Sequence, residues 1–247
     1  DKLIEAVKVS NYQSFEKILK KYNISSIFIN QLAGILDLSL IEHIIKSKIP
    51  YKYQIHDFYC VSPYPHLINE NQEYLPDDSG NFLFINPNRK ERFWNFIKNA
   101  EKIYVPSQNT FSLIKKAYPL ANLEINKSHE ISRFFNIYDT NKAESDVLEI
   151  GIVGSIGIHK GSRIVQDLCN LIEKENLPIK LKVIGVFNRD NNFEVHKNLE
   201  IVGPYDKKNF QNIVQNSNIS MILFPSIWPE TFSYVCQEAI ELGYPVL

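Results

Sequence analysis

Along the chain, short runs of β-branched and aromatic residues alternate with segments whose apolar residues recur every three or four positions. That is the pattern of strands and amphipathic helices taking turns. The strand-like runs are Ser25 to Asn30, Tyr51 to His56, Lys102 to Val105, Leu123 to Asn126, Val147 to Val153, Ile179 to Ile184, Leu199 to Val202 and Ile219 to Phe224. Helical spacing covers Ser14 to Tyr22, Leu38 to Ser47, Lys90 to Ala100, Gln108 to Ala117, Ser162 to Glu175, Lys207 to Asn216 and Phe232 to Leu242. Strand and helix alternating this regularly predict βα units around parallel sheets, an α/β fold.

Two segments break the rhythm. Tyr59 to Asn88 carries four prolines and no sustained period, so it reads as a long loop of the kind that often has a function. Phe135 to Asp146 is polar and charged and reads as a connection between domains. Val147 then restarts the pattern with a strand and a glycine-rich segment, as a second doubly wound domain does. The predicted organisation is a first domain over residues 1–134, a linker over 135–146 and a second domain over 147–247. The chain starts at Asp1 without Met and stops at Leu247, just after a new apolar run. Both domains are therefore expected to be incomplete, cut from a longer chain.

Composition removes several classes. Of 247 residues, 44% are hydrophobic and 22% charged, which suits a globular protein with a real core. Lys plus Arg number 27 against 28 for Asp plus Glu, so no basic field draws in nucleic acid and any anionic ligand must be met locally. Cys60, Cys169 and Cys236 are odd in number and far apart, a usage that argues against a disulfide framework or structural zinc and fits a reducing cytoplasm. No apolar run reaches the ~18 residues needed to span a bilayer, and the first residues lack the apolar stretch of a signal peptide.

Glycine is scarce, at nine residues, yet Gly151, Gly154, Gly157 and Gly161 fall within eleven positions. The segment follows a strand and opens a helix. There glycines let backbone amides approach a phosphate, the helix N-terminus adds partial positive charge, and Lys160 can supply a full one. The spacing matches neither the dinucleotide fingerprint nor the P-loop. The same glycines also suit a plain tight turn, with Lys160 a solvated charge.

The other candidate is the segment Phe224-Pro225-Ser226-Ile227-Trp228-Pro229-Glu230-Thr231-Phe232-Ser233-Tyr234, followed by Glu238. Glu230 and Glu238 lie eight positions apart around a helix start, roughly 12 Å at helical rise and about the span of a sugar diphosphate. Free amides of Thr231, Phe232 and Ser233 would face the bridging phosphates. Ordinary helix capping and a solvated face also accommodate two such carboxylates.

Taken together, the Glu-x7-Glu arrangement, the strand-Gly-x5-Lys-Gly segment and the restart at Val147 resemble the donor-binding domain of retaining family-four glycosyltransferases of the GT-B fold. The wording of both segments is most similar to members that build bacterial surface polysaccharides such as rhamnans and O-antigens. The resemblance covers most of residues 147 to 247 and, with weaker motifs, residues 25 to 130. It implies two doubly wound Rossmann-like domains facing across a cleft. It further implies that Glu230 meets the donor sugar, Glu238 holds the ribose and Lys160 neutralises the departing diphosphate. Gly154 and Ser155 would line the phosphate turn, with Gly203 and Tyr205 where the base rests. Ser155 stands where many members carry Arg, so one usual diphosphate cation is missing.

In the first half, Tyr51 to His56 with Asp57 resembles the family's strand-His-Asp segment and makes His56 a contact for the donor sugar. A histidine at a strand end is equally read as structural or surface. His66, His129, His159 and His196 show no ligand spacing and are read as surface or packing residues. The lysine-rich helix Ser14 to Tyr22 suits a solvated face or a contact with anionic lipid.

The implied activity is transfer of a hexosyl or deoxyhexosyl group, with retention, from a nucleotide-diphosphate sugar to a growing polysaccharide or lipid-linked glycan. No Asp-x-Asp motif is present, so no metal and no further cofactor is expected. The expected location is the cytoplasm or the inner face of the membrane, with peripheral membrane or synthase-complex contact. A non-catalytic module of a larger polysaccharide synthase is the alternative.

Overall fold

The computed structural model of the chain describes residues 9, 11–33, 38–69, 71, 73–74, 87–126, 146–188 and 196–247. Within these residues the chain divides into two compact units, Asp1–Asn69 with Leu75–His129, and Glu70–Tyr74 with Glu130–Leu247. Of the expected linker, positions 135–145 lie outside the described residues, as does His129.

The first unit holds strands β1 (Ile27–Ile29), β2 (Tyr51–Gln54), β3 (Lys102–Val105) and β4 (Leu123–Ile125), with helices α1 (Tyr12–Lys21), α2 (Ser39–Ser47), α3 (Pro87–Asn99) and α4 (Gln108–Ala117). Each expected element of this half is present, with ends moved by up to three residues. The entries explain themselves chemically. Asn11 and Ser14 form a reciprocal capping box ahead of α1, and the Ser107 hydroxyl accepts from the Thr110 amide at the start of α4, each satisfying amides that the first turn leaves unpaired. Helix α3 starts three residues before the expected Lys90 because proline is well tolerated in a first turn.

The four strands run parallel in sequence order, β1-β2-β3-β4. Tyr51, Tyr53, Ile103 and Val105 are buried from the sheet together with Phe93, Phe96, Ile114 and Tyr118 from the helices. The Tyr51 and Phe96 rings stack at 5.0 Å. The Tyr118 hydroxyl donates to the Cys60 carbonyl at 2.5 Å. Burial lifts the phenols of Tyr51, Tyr53 and Tyr118 and the Cys60 thiol above their ordinary pKa values.

The second unit holds β5 (Leu148–Ile156), β6 (Ile179–Phe187), β7 (Leu199–Gly203) and β8 (Met221–Ile222), with α5 (Ser162–Lys174), α6 (Phe210–Asn216) and α7 (Tyr234–Glu241). All strand pairs are parallel and the order is β7-β6-β5-β8. Neighbouring residues of the central strands point to opposite cores. Ile152, Leu181 and Val183 pack with Val165, Cys169 and Ile172 of α5, whereas Val153 and Ile184 pack with Phe210, Val214, Ala239 and Leu242 on the α6 and α7 side. Burial on both faces is what a parallel sheet requires.

The chain builds outward from β5 through β6 to β7, then returns to the other side of β5 for β8. The segments leaving the ends of β5 and β8 therefore depart toward opposite faces, and such a reversal opens the crevice where α/β sheets bind ligands. In the first sheet no reversal falls within the described residues.

In the glycine-rich segment one expectation changes. Strand β5 runs on to Ile156, three residues past the predicted end, because its pairing with β6 continues through Gly154↔Gly185, Ser155↔Val186 and Ile156↔Phe187. Gly151, Gly154 and Ser155 thus belong to the strand, and only Gly157 and Gly161 frame the turn. Gly154 has its own reason, a φ of 123° that side chains rarely adopt. A Cβ on the facing Gly185 would lie 2.1 Å from the Gly154 carbonyl oxygen, so the close approach of the strands excludes a side chain at Gly185.

Candidate functional site

At the crevice in the second sheet, β5 ends in Gly157 and a single 3-10 turn, Ile158–Lys160, before Gly161 opens α5. Gly161 adopts φ 79°, and a Cβ at that position would sit 2.0 Å from the Pro225 carbonyl oxygen. The turn therefore presses against the backbone of the segment that follows β8. The Ile227 amide donates to the His159 carbonyl at 3.1 Å, and the His159 and Trp228 rings meet edge-on at 6.3 Å. Two loops far apart in sequence are fixed to each other before any charged side chain is considered.

That docking brings Lys160 to Glu230. The Lys160 ammonium lies 2.6 Å from Glu230 Oε1, both side chains largely withdrawn from solvent at 27% and 12% exposure. The Ser226 hydroxyl donates to the same oxygen. Glu230 is thus held at one oxygen by two donors, an arrangement that fixes the direction of its carboxylate.

Helix α7 begins at Tyr234, two residues later than the pattern predicted, with Ser233 as its N-cap. Glu230 therefore precedes the helix, and only Tyr234 to Glu238 of the interval between the two glutamates is helical. Helical rise does not measure their separation. The amides of the first turn are those of Tyr234, Val235 and Cys236, while Thr231 and Phe232 lie in the approach. Thr231 is buried and the Phe232 ring packs on Tyr234 at 4.9 Å. The Ser233 side chain makes no capping bond, and α7 has no acidic residue in its first turn. Helix α5 likewise has a glycine N-cap and no acid in its first turn. Neither first turn carries an acidic residue of its own to meet the helix's partial positive charge.

Glu238, one turn into α7, is met by Lys207 at 3.0 Å, with side-chain exposures of 24% and 82% respectively. Lys207 opens the short turn after β7. Tyr205, from the same connection, packs on Phe210 at 5.2 Å, and its phenol is pushed up by burial and then by the Glu238 charge. Gly203 ends β7 with φ 100° and open space where a Cβ would stand. Tyr205, Lys207 and Glu238 form one group, and Lys160, Ser226 and Glu230 another.

Cys236 lies within the field of that second group. Burial raises its thiol pKa, Glu230 raises it further and Lys160 lowers it. Ser226, Lys207 and Cys236 were not among the predicted site residues. Ser226 stands inside the singled-out segment, but Lys207 approaches Glu238 through tertiary structure alone, and no spacing announces it.

His56, at the end of β2, belongs to the first unit. Its Nε2 lies 3.0 Å from Asn30 Oδ1. The adjacent Asp57 is buried, accepting from the Tyr59 amide at 2.8 Å and from Gln31 Nε2 at 2.9 Å, so it anchors the backbone that carries His56.

No protein-family model and no curated protein matches the chain. Solved structures do. TarM superposes with a TM-score of 0.60 at 13% identity, over 95% of this chain and 43% of TarM. HepE of Anabaena, solved with UDP and glucose, gives 0.56 at 14% identity over 95% of this chain and 62% of that one. The lipopolysaccharide outer core galactosyltransferase WaaB gives 0.55 at 14% identity over 95% and 59%. The chain thus spans about half the length of these structures. Its fold, two Rossmann-like units with parallel sheets, is that of GT-B glycosyltransferases.

Proposed function

We propose that the second unit is the donor-binding half of a glycosyltransferase that takes a sugar from a nucleoside diphosphate and passes it, with retention, to a polysaccharide or lipid-linked glycan. One observation carries the reading: Lys160 and Glu230 are brought together at the strand-order reversal between β5 and β8, flanked by two helix N-termini that carry no acidic residue in their first turns. A basic side chain, helix N-terminal amides and a fixed carboxylate at one crevice suit a ligand with an anionic middle and a hydroxylated end.

In this reading the diphosphate lies against the amides of Tyr234, Val235 and Cys236 and the turn at Gly157 to Lys160, with Gly154 and Ser155 behind it. Glu230 receives hydroxyls of the transferred sugar. Glu238 receives the ribose, beside Gly203 and Tyr205, while Thr231, Phe232 and Ser233 shape the approach to α7. As the anomeric carbon leaves the β-phosphate oxygen and joins the acceptor oxygen, whose hydroxyl proton passes to the departing diphosphate, negative charge grows on the diphosphate, and Lys160 with the helix amides stabilises it. No metal is assigned a part.

The molecules bound in the similar structures support the nucleotide. HepE was solved with UDP, and S. aureus TarM with fondaparinux, α-GlcNAc-glycerol and UDP. No helix among the described residues is long and apolar enough to cross a membrane, and a peripheral contact with the membrane or a synthase complex belongs to the proposal.

The test is calorimetric titration with UDP, dTDP and GDP, followed by transfer assays with the corresponding sugars in the presence of a chelator. Binding of one diphosphate, weakened about tenfold or more in Lys160→Met, is expected. Absence of binding to all three overturns the donor reading, and binding without transfer or donor hydrolysis in the longest available chain favours the non-catalytic module instead.

A further inference from the structure

The donor site holds two lysine–glutamate pairs, and they differ in one physical respect. Lys160 is largely withdrawn from solvent and shares Glu230 Oε1 with Ser226, so its position is tied to the loop junction. Lys207 is 82% exposed and is held by Glu238 Oε1 at 3.0 Å. An exposed ion pair of this kind is weak, and its lysine stem is free to turn about four bonds.

Charge accounting gives the pair a meaning. Lys160 cancels Glu230, and Lys207 cancels Glu238. A nucleoside diphosphate entering such a site brings at least two negative charges, and one partly committed lysine is a poor match for them. If ribose hydroxyls replace the ammonium at Glu238, Lys207 is released at the ribose end of the ligand. The phosphate next to the ribose is then the nearest anion. Helix geometry is consistent with that reach, because the first-turn amides of α7 lie within about one 5.4 Å turn of Glu238.

We propose that Lys207 is a mobile cation of the donor site. It occupies Glu238 when the site is empty and transfers to the diphosphate when the ribose takes its place. The inference rests on the donor reading given above and adds to it a residue that recognises phosphate only after the nucleoside has bound. It makes the site selective for a nucleoside diphosphate over the nucleoside alone.

Isothermal titration of the whole chain separates the possibilities, using the diphosphate among UDP, dTDP and GDP that binds it and the matching nucleoside. Lys207→Met is expected to weaken the diphosphate about tenfold, as loss of a charge-assisted contact does. It should leave the nucleoside within about twofold of the parent or tighter, since the competitor for Glu238 is gone. Lys207→Arg should restore most of the loss, and Lys208→Met, at the exposed neighbour, should bind as the parent does. A Lys207→Met chain that binds the diphosphate as well as the parent or better overturns the inference, as does an equal loss for diphosphate and nucleoside. A parent chain that binds none of the three diphosphates overturns the donor reading itself, a result separate from either of these.

Discussion

Lys160 and Glu230, seventy residues apart, meet at 2.6 Å because the turn after β5 and the segment after β8 pack backbone to backbone at Gly161 and Pro225. The contact is a product of sheet topology, since only a strand-order reversal brings those two segments side by side. It makes the two residues separable by experiment. On the proposed donor reading, Lys160→Met removes the charge that would face the diphosphate and should weaken nucleoside diphosphate binding about tenfold or more. Glu230→Gln keeps a polar group of the same shape, so diphosphate affinity should stay close to that of the parent while transfer falls about a hundredfold or more. Titration and steady-state rates on the two variants check this, and a Glu230→Gln enzyme with full turnover would remove Glu230 from the sugar site.

Ser226 donates to the same oxygen that Lys160 contacts. In Ser226→Ala, Glu230 keeps its ion pair but loses the second donor, so its carboxylate is less well directed. The expected result is a fall in kcat of about tenfold with little change in diphosphate affinity, partly recovered in Ser226→Thr, which keeps the hydroxyl. A loss confined to affinity would show that Ser226 serves the phosphates instead.

The sequence made the two half-sites legible but not their junction. Alternating periods marked every strand and α-helix among the described residues, and the Gly154 to Gly161 and Pro225 to Glu238 segments stood out by composition. The extra length of β5 was hidden because Gly154 and Ser155 look like turn residues, whereas pairing to Gly185 and Val186 keeps them in the sheet. The late start of α7 was hidden because Phe232 fits the apolar spacing of the helix that begins two residues later. Lys207 carried no signal, since its partner is thirty-one residues away and the contact depends on how α7 packs beside the β7–α6 connection.

Gly161 tests the junction itself. A Cβ there meets a backbone oxygen, which cannot rotate aside, and the left-handed φ adds strain. At Gly154, by contrast, the φ is 123° but nothing lies within 4 Å of the added carbon. Gly161→Ala should therefore cost more than Gly154→Ala, about 2–4 kcal/mol against about 1–2 kcal/mol. Denaturant midpoints give the comparison, and equal costs would mean that the Pro225 contact yields easily. Gly161→Ala should also weaken diphosphate binding, because the turn that carries Lys160 is displaced.

Cys236 reports on the charges around it without any substrate. Burial and Glu230 both hold its thiol in the protonated form, and Lys160 opposes them. Removing the Glu230 charge lowers the thiol pKa and raises the thiolate fraction at a given pH, so Glu230→Gln should be alkylated faster by iodoacetamide at pH 8. Lys160→Met shifts the balance the other way and should be alkylated more slowly. Cys60 and Cys169 are fully buried and should not react in the native state. Mass spectrometry of the labelled peptide reads the rates, and an identical rate in all three chains would place Cys236 outside the field of the pair.

Alkaline pH should unfold the first unit through its buried acids. Tyr51, Tyr53, Tyr118 and Cys60 all have pKa values pushed above the ordinary range by burial, while in the unfolded chain they ionise at the usual 10.0 for tyrosine and 9.0 for cysteine. Above those values the folded state still holds protons that the unfolded state has released, so stability is intact below about pH 9 and falls as pH rises. In the second unit Cys169 acts in the same direction, with its thiol lifted to about 11. Tyr118→Phe isolates one contribution. It loses the hydrogen bond to the Cys60 carbonyl and should be less stable at pH 8, by about 1 kcal/mol. It also has one fewer phenol to ionise on unfolding, so its stability should decline less steeply, by a difference approaching about 1.4 kcal/mol per pH unit above pH 10. Denaturation midpoints across this range distinguish the outcomes, because parallel pH profiles for the two chains would show that Tyr118 keeps its proton equally in the folded and unfolded states.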